Sequence, residues 1–171
     1  DADAGDDHKR LFSKSNSGSG AEGYDISFHT DGTNGTINTY TDSSQRISGA
    51  EPTGGFVNGK WYHVIWTWDS TNHYLYLDGV LLQTVSSSAT PPSNTTGARI
   101  GSWNHSTGRE FDGNIRDVRI YDYGFSADQV ASLYSGSYNV TPLHWWKLDD
   151  ALSGTSVTTA VDSGTSSSLK N

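Results

Sequence analysis

The stretch Gly101-Ser-Trp-Asn-His-Ser-Thr-Gly-Arg109 places an indole, a carboxamide, an imidazole and a guanidinium close together. That set suits a sugar, because a flat apolar ring covers its C–H face while planar polar groups pair with its hydroxyls. Trp103, Asn104, His105 and Arg109 are therefore the candidate ligand-binding residues. The competing reading is structural: a hairpin loop that folds Trp103 over a sheet edge. A second group stands at the start, where Asp1, Asp3, Asp6 and Asp7 offer the hard oxygens that Ca²⁺ collects from flexible loops. Their D-x-D-x-G-D spacing lacks the glycine position and closing Glu of an EF-hand, so a solvated acidic segment competes with a Ca²⁺ site.

Catalytic patterns are scarce. Glycoside hydrolysis takes two carboxylates about 5–10 Å apart, and Glu22, Glu51 and Glu110 belong to no E-x-D-x-x-E pattern. No Gly-x-Ser-x-Gly elbow accompanies the six His residues, and His63 reads as a packed strand residue. Asp69 and Asp78 fit turns, Asp112 precedes a turn glycine, and Asp117 has Arg116 and Arg119 as charge partners. No catalytic residue is expected.

These residues must be positioned by short strands. Runs at Arg10–Lys14, Tyr24–His29, Gly35–Thr41, Trp61–Asp69, Tyr74–Asp78, Val80–Val85, Arg99–Gly101 and Asn114–Tyr121 follow one another with turn residues between them. Such spacing predicts an antiparallel sandwich or barrel. Asp78-Gly79 suits a tight hairpin, since both positions tolerate positive φ. Neither face of Trp61–Trp68 is purely polar, so it reads as a central, covered strand, and strand placement assigns Trp61, Trp66, Trp68, Trp145 and Trp146 to the core. One helix is expected over Ser126–Tyr134, from a capping box of Ser126 and Gln129 with Val130, Leu133 and Tyr134 as its apolar face. Leu143–Leu148 alternates Leu143, Trp145 and Leu148 with His144, Trp146 and Lys147, as a strand would.

Composition agrees with an all-β chain rich in loops. The 171 residues include 25 Ser, 18 Thr and 19 Gly, six Trp and nine Tyr, with 18% charged residues. The aromatic content argues against disorder. A net charge of −8 without a basic cluster beyond His8-Lys9-Arg10 argues against nucleic-acid binding. Apolar runs such as Val80-Leu81-Leu82 are far shorter than the roughly 20 residues of a membrane span. There is no Cys to form disulfides or thiolate metal sites. Asn34-Gly-Thr36, Asn94-Thr-Thr96, Asn104-His-Ser106 and Asn139-Val-Thr141 match the N-glycosylation acceptor pattern, a weak pointer to an extracellular address.

Three stretches together resemble the laminin-G-like jelly roll of the concanavalin A-like lectin and glucanase superfamily. They are Gly59-Lys-Trp-Tyr-His-Val-Ile-Trp-Thr-Trp-Asp69, Tyr74-Leu-Tyr-Leu-Asp-Gly-Val80, and Phe111-Asp-Gly-Asn-Ile-Arg-Asp-Val-Arg-Ile-Tyr121 with the Phe125–Tyr134 segment. The resemblance implies two antiparallel sheets packed face to face, with one short helix. It departs from the family in order. The opening-type segment, Trp145-Trp-Lys-Leu-Asp-Asp150 with Asp162-Ser-Gly164, stands last, and the two strands expected after it are absent. The division expected is a sandwich lacking its usual first strands over residues 1–137 and an opening-type strand segment over 138–171. That segment has three possible arrangements: closing onto its own domain in permuted order, entering a neighbouring copy to build a filament, or starting the next repeat of a tandem array.

The function implied is a non-catalytic extracellular or cell-surface module that binds glycans or mediates adhesion to matrix and surface proteins. A structural subunit of an extracellular filament or surface assembly, joined by strand complementation between copies, is the alternative. A glycoside hydrolase is the least favoured reading.

Overall fold

Alternation of side chains builds the larger sheet. Tyr24–Thr30 reads Asp25-Ile-Ser-Phe-His29 through its middle and Gly35–Thr41 reads Thr36-Ile-Asn-Thr-Tyr40, so polar and apolar residues leave opposite faces. This computed structural model describes residues 8–15, 23–30, 35–41, 44–90, 95–103, 108–137, 141–148 and 161–164. Its elements are β1 (His8–Lys14), β2 (Tyr24–Thr30), β3 (Gly35–Thr41), β4 (Ser44–Ala50), β5 (Val64–Trp68), β6 (Asn72–Leu77), β7 (Val80–Ser86), β8 (Arg99–Ile100), β9 (Val118–Ile120), α1 (Ala127–Tyr134) and β10 (His144–Trp146). The chain is an all-β sandwich with one short helix among the described residues.

One layer is a five-stranded sheet in the order β4-β3-β2-β1-β8. The other comes in two pieces, β5-β6-β7 and β10-β9. The layers meet where Ile37, Ile47 and Ala50 pack against Leu75 and Leu77. Full burial of one such aliphatic side chain contributes about 1.5–3 kcal/mol. At the other end Ile26, Phe28, Val64 and Trp66 are only half-buried, because they line a cleft of about 1470 Å³ between the layers. His73, fully buried in β6, has its Nδ1 3.3 Å from the Trp66 indole N–H and its Nε2 2.8 Å from Ala89 O. The ring therefore accepts at Nδ1 and donates at Nε2 as a neutral imidazole, and burial lowers its pKa.

The Asp78-Gly79 hairpin forms as expected, with φ of 50° and 81°. Tyr134 packs so closely on it that a Cβ on Gly79 would lie 2.9 Å from Tyr134 Cδ1. Helix α1 begins at the expected capping box: Gln129 N–H donates to Ser126 Oγ at 3.3 Å and Ser126 N–H donates to Gln129 Oε1 at 2.8 Å.

Four features differ from the sequence reading. Strand β4 adds an edge, with Ile47 fully buried and a bulged register against β3. Strand β5 is an end strand rather than a central one, since β6 takes the middle of its sheet. Its second apolar face is turned into the cleft, which is why it looked covered on both sides. Trp61 is outside the core at 50% exposure, because it precedes β5 and rests under the Arg116 guanidinium, 4.6 Å from its ring. Trp145 is half-buried between Arg119 and Lys147, at 4.6 and 4.7 Å, whereas Trp146 is buried as expected. Strand β10, whose arrangement the sequence left open, pairs with its own chain's β9, with Trp145 opposite Arg119.

Candidate functional site

The outer face of the five-stranded sheet, turned away from the core, is polar. Register places Asp25 beside Tyr40, Ser27 beside Asn38 and His29 beside Thr36, while His8 sits opposite His29 on β1. The His8 and His29 rings stack at 4.4 Å and Tyr40 meets His8 edge-on at 5.9 Å. All three rings are half-buried. Around them are side-chain amides: Gln45 Nε2 donates to Asn38 Oδ1 at 3.0 Å, and Gly49 N–H donates to the same oxygen at 2.7 Å. Both bonds fix which end of Asn38 is oxygen, leaving its NH₂ directed toward His8 Nδ1, a long contact of 3.5 Å.

Trp103 and Arg109, on the described stretches that follow β8, form a wall along the β1 side of this face. Backbone bonds tie it down, from Arg10 N–H to Arg109 O at 2.9 Å and from Gly101 N–H to Leu11 O at 3.1 Å. Trp103 is only 6% exposed. Two guanidinium groups lie over its ring, Arg10 at 4.9 Å and Arg109 at 4.7 Å. Its indole N–H donates to Ser15 Oγ at 3.2 Å, and Ser15 Oγ–H donates to Asp25 Oδ2 at 3.0 Å. Arg10 also lies 5.4 Å from the Tyr40 ring, so one cation links the wall to the ring cluster.

Asp25 is fully buried beneath this arrangement. Burial pushes its carboxyl above the usual range, against the opposing pull of Ser13, Arg10, Ser15 and Arg109. It is the only carboxylate on this face of β1–β4. Its hydrogen bonds run to serines, which marks it as the floor of the site.

The structure brings together two of the predicted ligand residues, Trp103 and Arg109, as a stacked pair. Trp103 turns out to be a clamped wall residue, close to the structural alternative for the loop. Asn104 and His105 lie outside the described residues, as do Asp1, Asp3, Asp6 and Asp7. Among the described residues no group of three or more His, Asp or Glu is placed to hold a metal ion. His8, His29, Asn38, Tyr40 and Gln45 were missed. Their signal was the polar alternation of β2 and β3, which becomes a site only once the two strands are set side by side.

Comparisons with known proteins bear on the fold. No curated protein matches the chain. Among solved structures it is similar to an S-layer domain-containing protein of Clostridium thermocellum (residues 221–444), at 18% identity and a TM-score of 0.42 over 74% of this chain. The chain spans 63% of that structure's length. The profile of the concanavalin A-like lectin/glucanases superfamily matches residues 2–131. With that match over most of its length, and with the sandwich, hairpin and capped helix all in place, the chain belongs to this superfamily as a laminin-G-like domain.

Proposed function

We propose that this domain is a non-catalytic extracellular module that binds glycans, free or carried by matrix and cell-surface proteins, on the outer face of its five-stranded sheet. The ring cluster of His8, His29 and Tyr40 beside the amides of Asn38 and Gln45 carries the reading. Half-buried rings held by sheet register give a sugar a rigid apolar surface, and the exposed Gln45 amide beside them supplies a hydrogen-bond donor and acceptor. The non-catalytic part is supported by Asp25, the one carboxylate that β1–β4 place on that face among the described residues, whose oxygens both lie within hydrogen-bond reach of the Ser15 hydroxyl. The extracellular part is supported by the superfamily and by the Ser- and Thr-rich acidic composition.

A glycan array followed by titration calorimetry tests the reading. Binding is expected for the wild type and should weaken about tenfold or more in His29→Ala and Tyr40→Ala, which each remove one ring of the cluster. An array without a hit, or affinities indifferent to both substitutions, overturns it. Calcium belongs to the same proposal only as an accessory ion, with Asp1, Asp3, Asp6 and Asp7 as its ligands.

A further inference from the structure

The divided layer has an outward face of its own, on the far side of the sandwich from the ring cluster. Trp146 points inward, 6.4 Å from Phe12, so alternation along β10 and its register with β9 turn Trp145, Lys147 and Arg119 outward. Just before β5, His63 is tied to Asp78 twice: its N–H donates to Asp78 Oδ1 and its C=O accepts from Asp78 N–H, each at 2.8 Å. Tyr134 of α1 lies over the same spot, 5.6 Å from the His63 ring.

Apolar side chains collect at this end of the face. Among the described residues seven large apolar side chains are exposed, and five of them surround the Asp78-Gly79 hairpin. Val80 and Leu81 follow it, Tyr134 packs on Gly79, and Val57 and Trp61 flank Lys60, whose Nζ lies 3.5 Å from Asp78 Oδ2. Each of the five is 49–69% exposed. Cations collect with them. Arg116 lies 4.6 Å from the Trp61 ring, and Arg119 and Lys147 lie 4.6 and 4.7 Å from that of Trp145. With Lys60 these are four of the chain's 11 Lys and Arg residues, interleaved with the carboxylates of Asp78 and Asp117. Asp78 pairs with Lys60 and Asp117 with Arg119, whereas Arg116 and Lys147 have no carboxylate within ion-pair distance among the described residues. The cluster is thus positive on a chain whose net charge is −8.

We propose that this face docks the protein on an anionic lipid surface. Indole and phenol rings, with an apolar body and a polar edge, settle at the boundary between headgroups and acyl chains, which suits Trp61 and Tyr134. Lys and Arg stems run along apolar surface while their charged ends reach lipid phosphates, which suits Arg116 and Lys147. The aliphatic residues decide between partners. A soluble polyanion would engage the cations and leave Val57, Val80 and Leu81 in water, whereas binding to a bilayer grows with buried apolar area as well as with charge. The acidic remainder of the chain is repelled by the same surface, so the protein is oriented with this face on the lipid and the ring cluster turned away from it. The residues involved are ones that the glycan reading does not use.

The test floats the full chain with vesicles of phosphatidylcholine, with and without phosphatidylglycerol. Binding is expected to the mixed vesicles and should be weaker by about tenfold or more to phosphatidylcholine alone. Arg116→Glu combined with Lys147→Glu should weaken binding to the mixed vesicles by about tenfold or more. Raising the salt from about 0.1 M to about 1 M, which shortens the Debye length from about 10 Å to about 3 Å, should weaken wild-type binding likewise, a readout that needs no variant to fold. Lipids brominated along the acyl chain should quench the tryptophan fluorescence of the wild type more than that of Trp61→Phe. His29→Ala, which removes a ring of the proposed sugar site, should float as the wild type does. No flotation, equal flotation with uncharged vesicles, indifference to salt or to the charge reversal, or equal quenching of wild type and Trp61→Phe each overturns the proposal. Loss of flotation in His29→Ala overturns it by placing the contact on the opposite face. Dextran sulfate bound as tightly as the vesicles, without acyl-chain quenching, overturns it in favour of a soluble polyanion.

Discussion

Trp103 is buried as the structural reading of its loop has it, whereas Trp61 stands outside the core, and substituting each should show it. Trp103→Ala removes a buried indole, for which large-to-small core substitutions cost about 3–5 kcal/mol. The substitution also strips the shared ring from the Arg10 and Arg109 guanidiniums and the N–H donor from Ser15 Oγ. Since those losses are part of the same truncation and do not simply add, the expected cost is about 4 kcal/mol. Trp103→Phe keeps an aromatic ring under the guanidiniums and loses the N–H and part of the ring's volume. Ser15 Oγ retains its bond to Asp25, so the cost falls to about 1–2 kcal/mol. Trp61→Ala removes a half-exposed ring whose main partner is Arg116, for about 1 kcal/mol or less. Urea denaturation followed by intrinsic fluorescence and circular dichroism measures all three. For a slope near 2 kcal/mol/M, Trp103→Ala should lower the midpoint by about 2 M. A Trp103→Ala protein within about 1 kcal/mol of wild type, or a Trp61→Ala protein that loses more than Trp103→Ala, would refute the assignment of Trp103 as the clamp.

Two carboxylates should give opposite pH dependences in the same urea series. Asp69 is held at about 2 by the N–H groups of Thr71 and Asn72, then by the Tyr74 and Thr71 hydroxyls, so its stabilisation is present above the ordinary value of 3.8 and disappears as the pH falls toward 2. Asp25 is raised by burial, so its contribution is present below the ordinary value and is lost as the pH rises through the raised one; Asp69→Asn and Asp25→Asn should each flatten their own slope, and an unchanged profile in either variant counts against that assignment. Asp162 Oδ1 accepts from Trp145 N–H at 2.9 Å and Gly164 N–H at 2.8 Å, and Oδ2 pairs with His144. Asp162→Ala should therefore cost about 1–3 kcal/mol and speed exchange in β10 while β2 and β3 stay protected; uniform acceleration would show that β10 is not separately held. Millimolar Ca²⁺ should raise the Tm above its value in chelator if Asp1, Asp3, Asp6 and Asp7 bind the ion in the folded state, and identical melting curves remove them as ligands.

What could be read from the chain depended on how local the cause was. The Asp78-Gly79 turn and the Ser126–Gln129 capping box are settled within a few residues, and both form as expected. The β4 strand was not readable because Ile47 is its one large apolar residue, and its place comes from a bulged pairing with β3. Burial of Trp103 depends on backbone bonds that join Arg10 to Arg109 and Leu11 to Gly101. Such distant pairings leave no mark on the loop's own composition. The site is a still stronger case. Asp25, Ser27 and His29 alternate with Ile26 and Phe28, and Asn38 and Tyr40 flank Thr39 beside Ile37, so the same register that sends apolar side chains to the core sends the rings and amides outward. A slip of β3 by one residue against β2 would turn Asn38 and Tyr40 toward the other layer and Ile37 outward, away from the core. Core and candidate binding face are therefore two consequences of one pairing, and neither is free to change without the other.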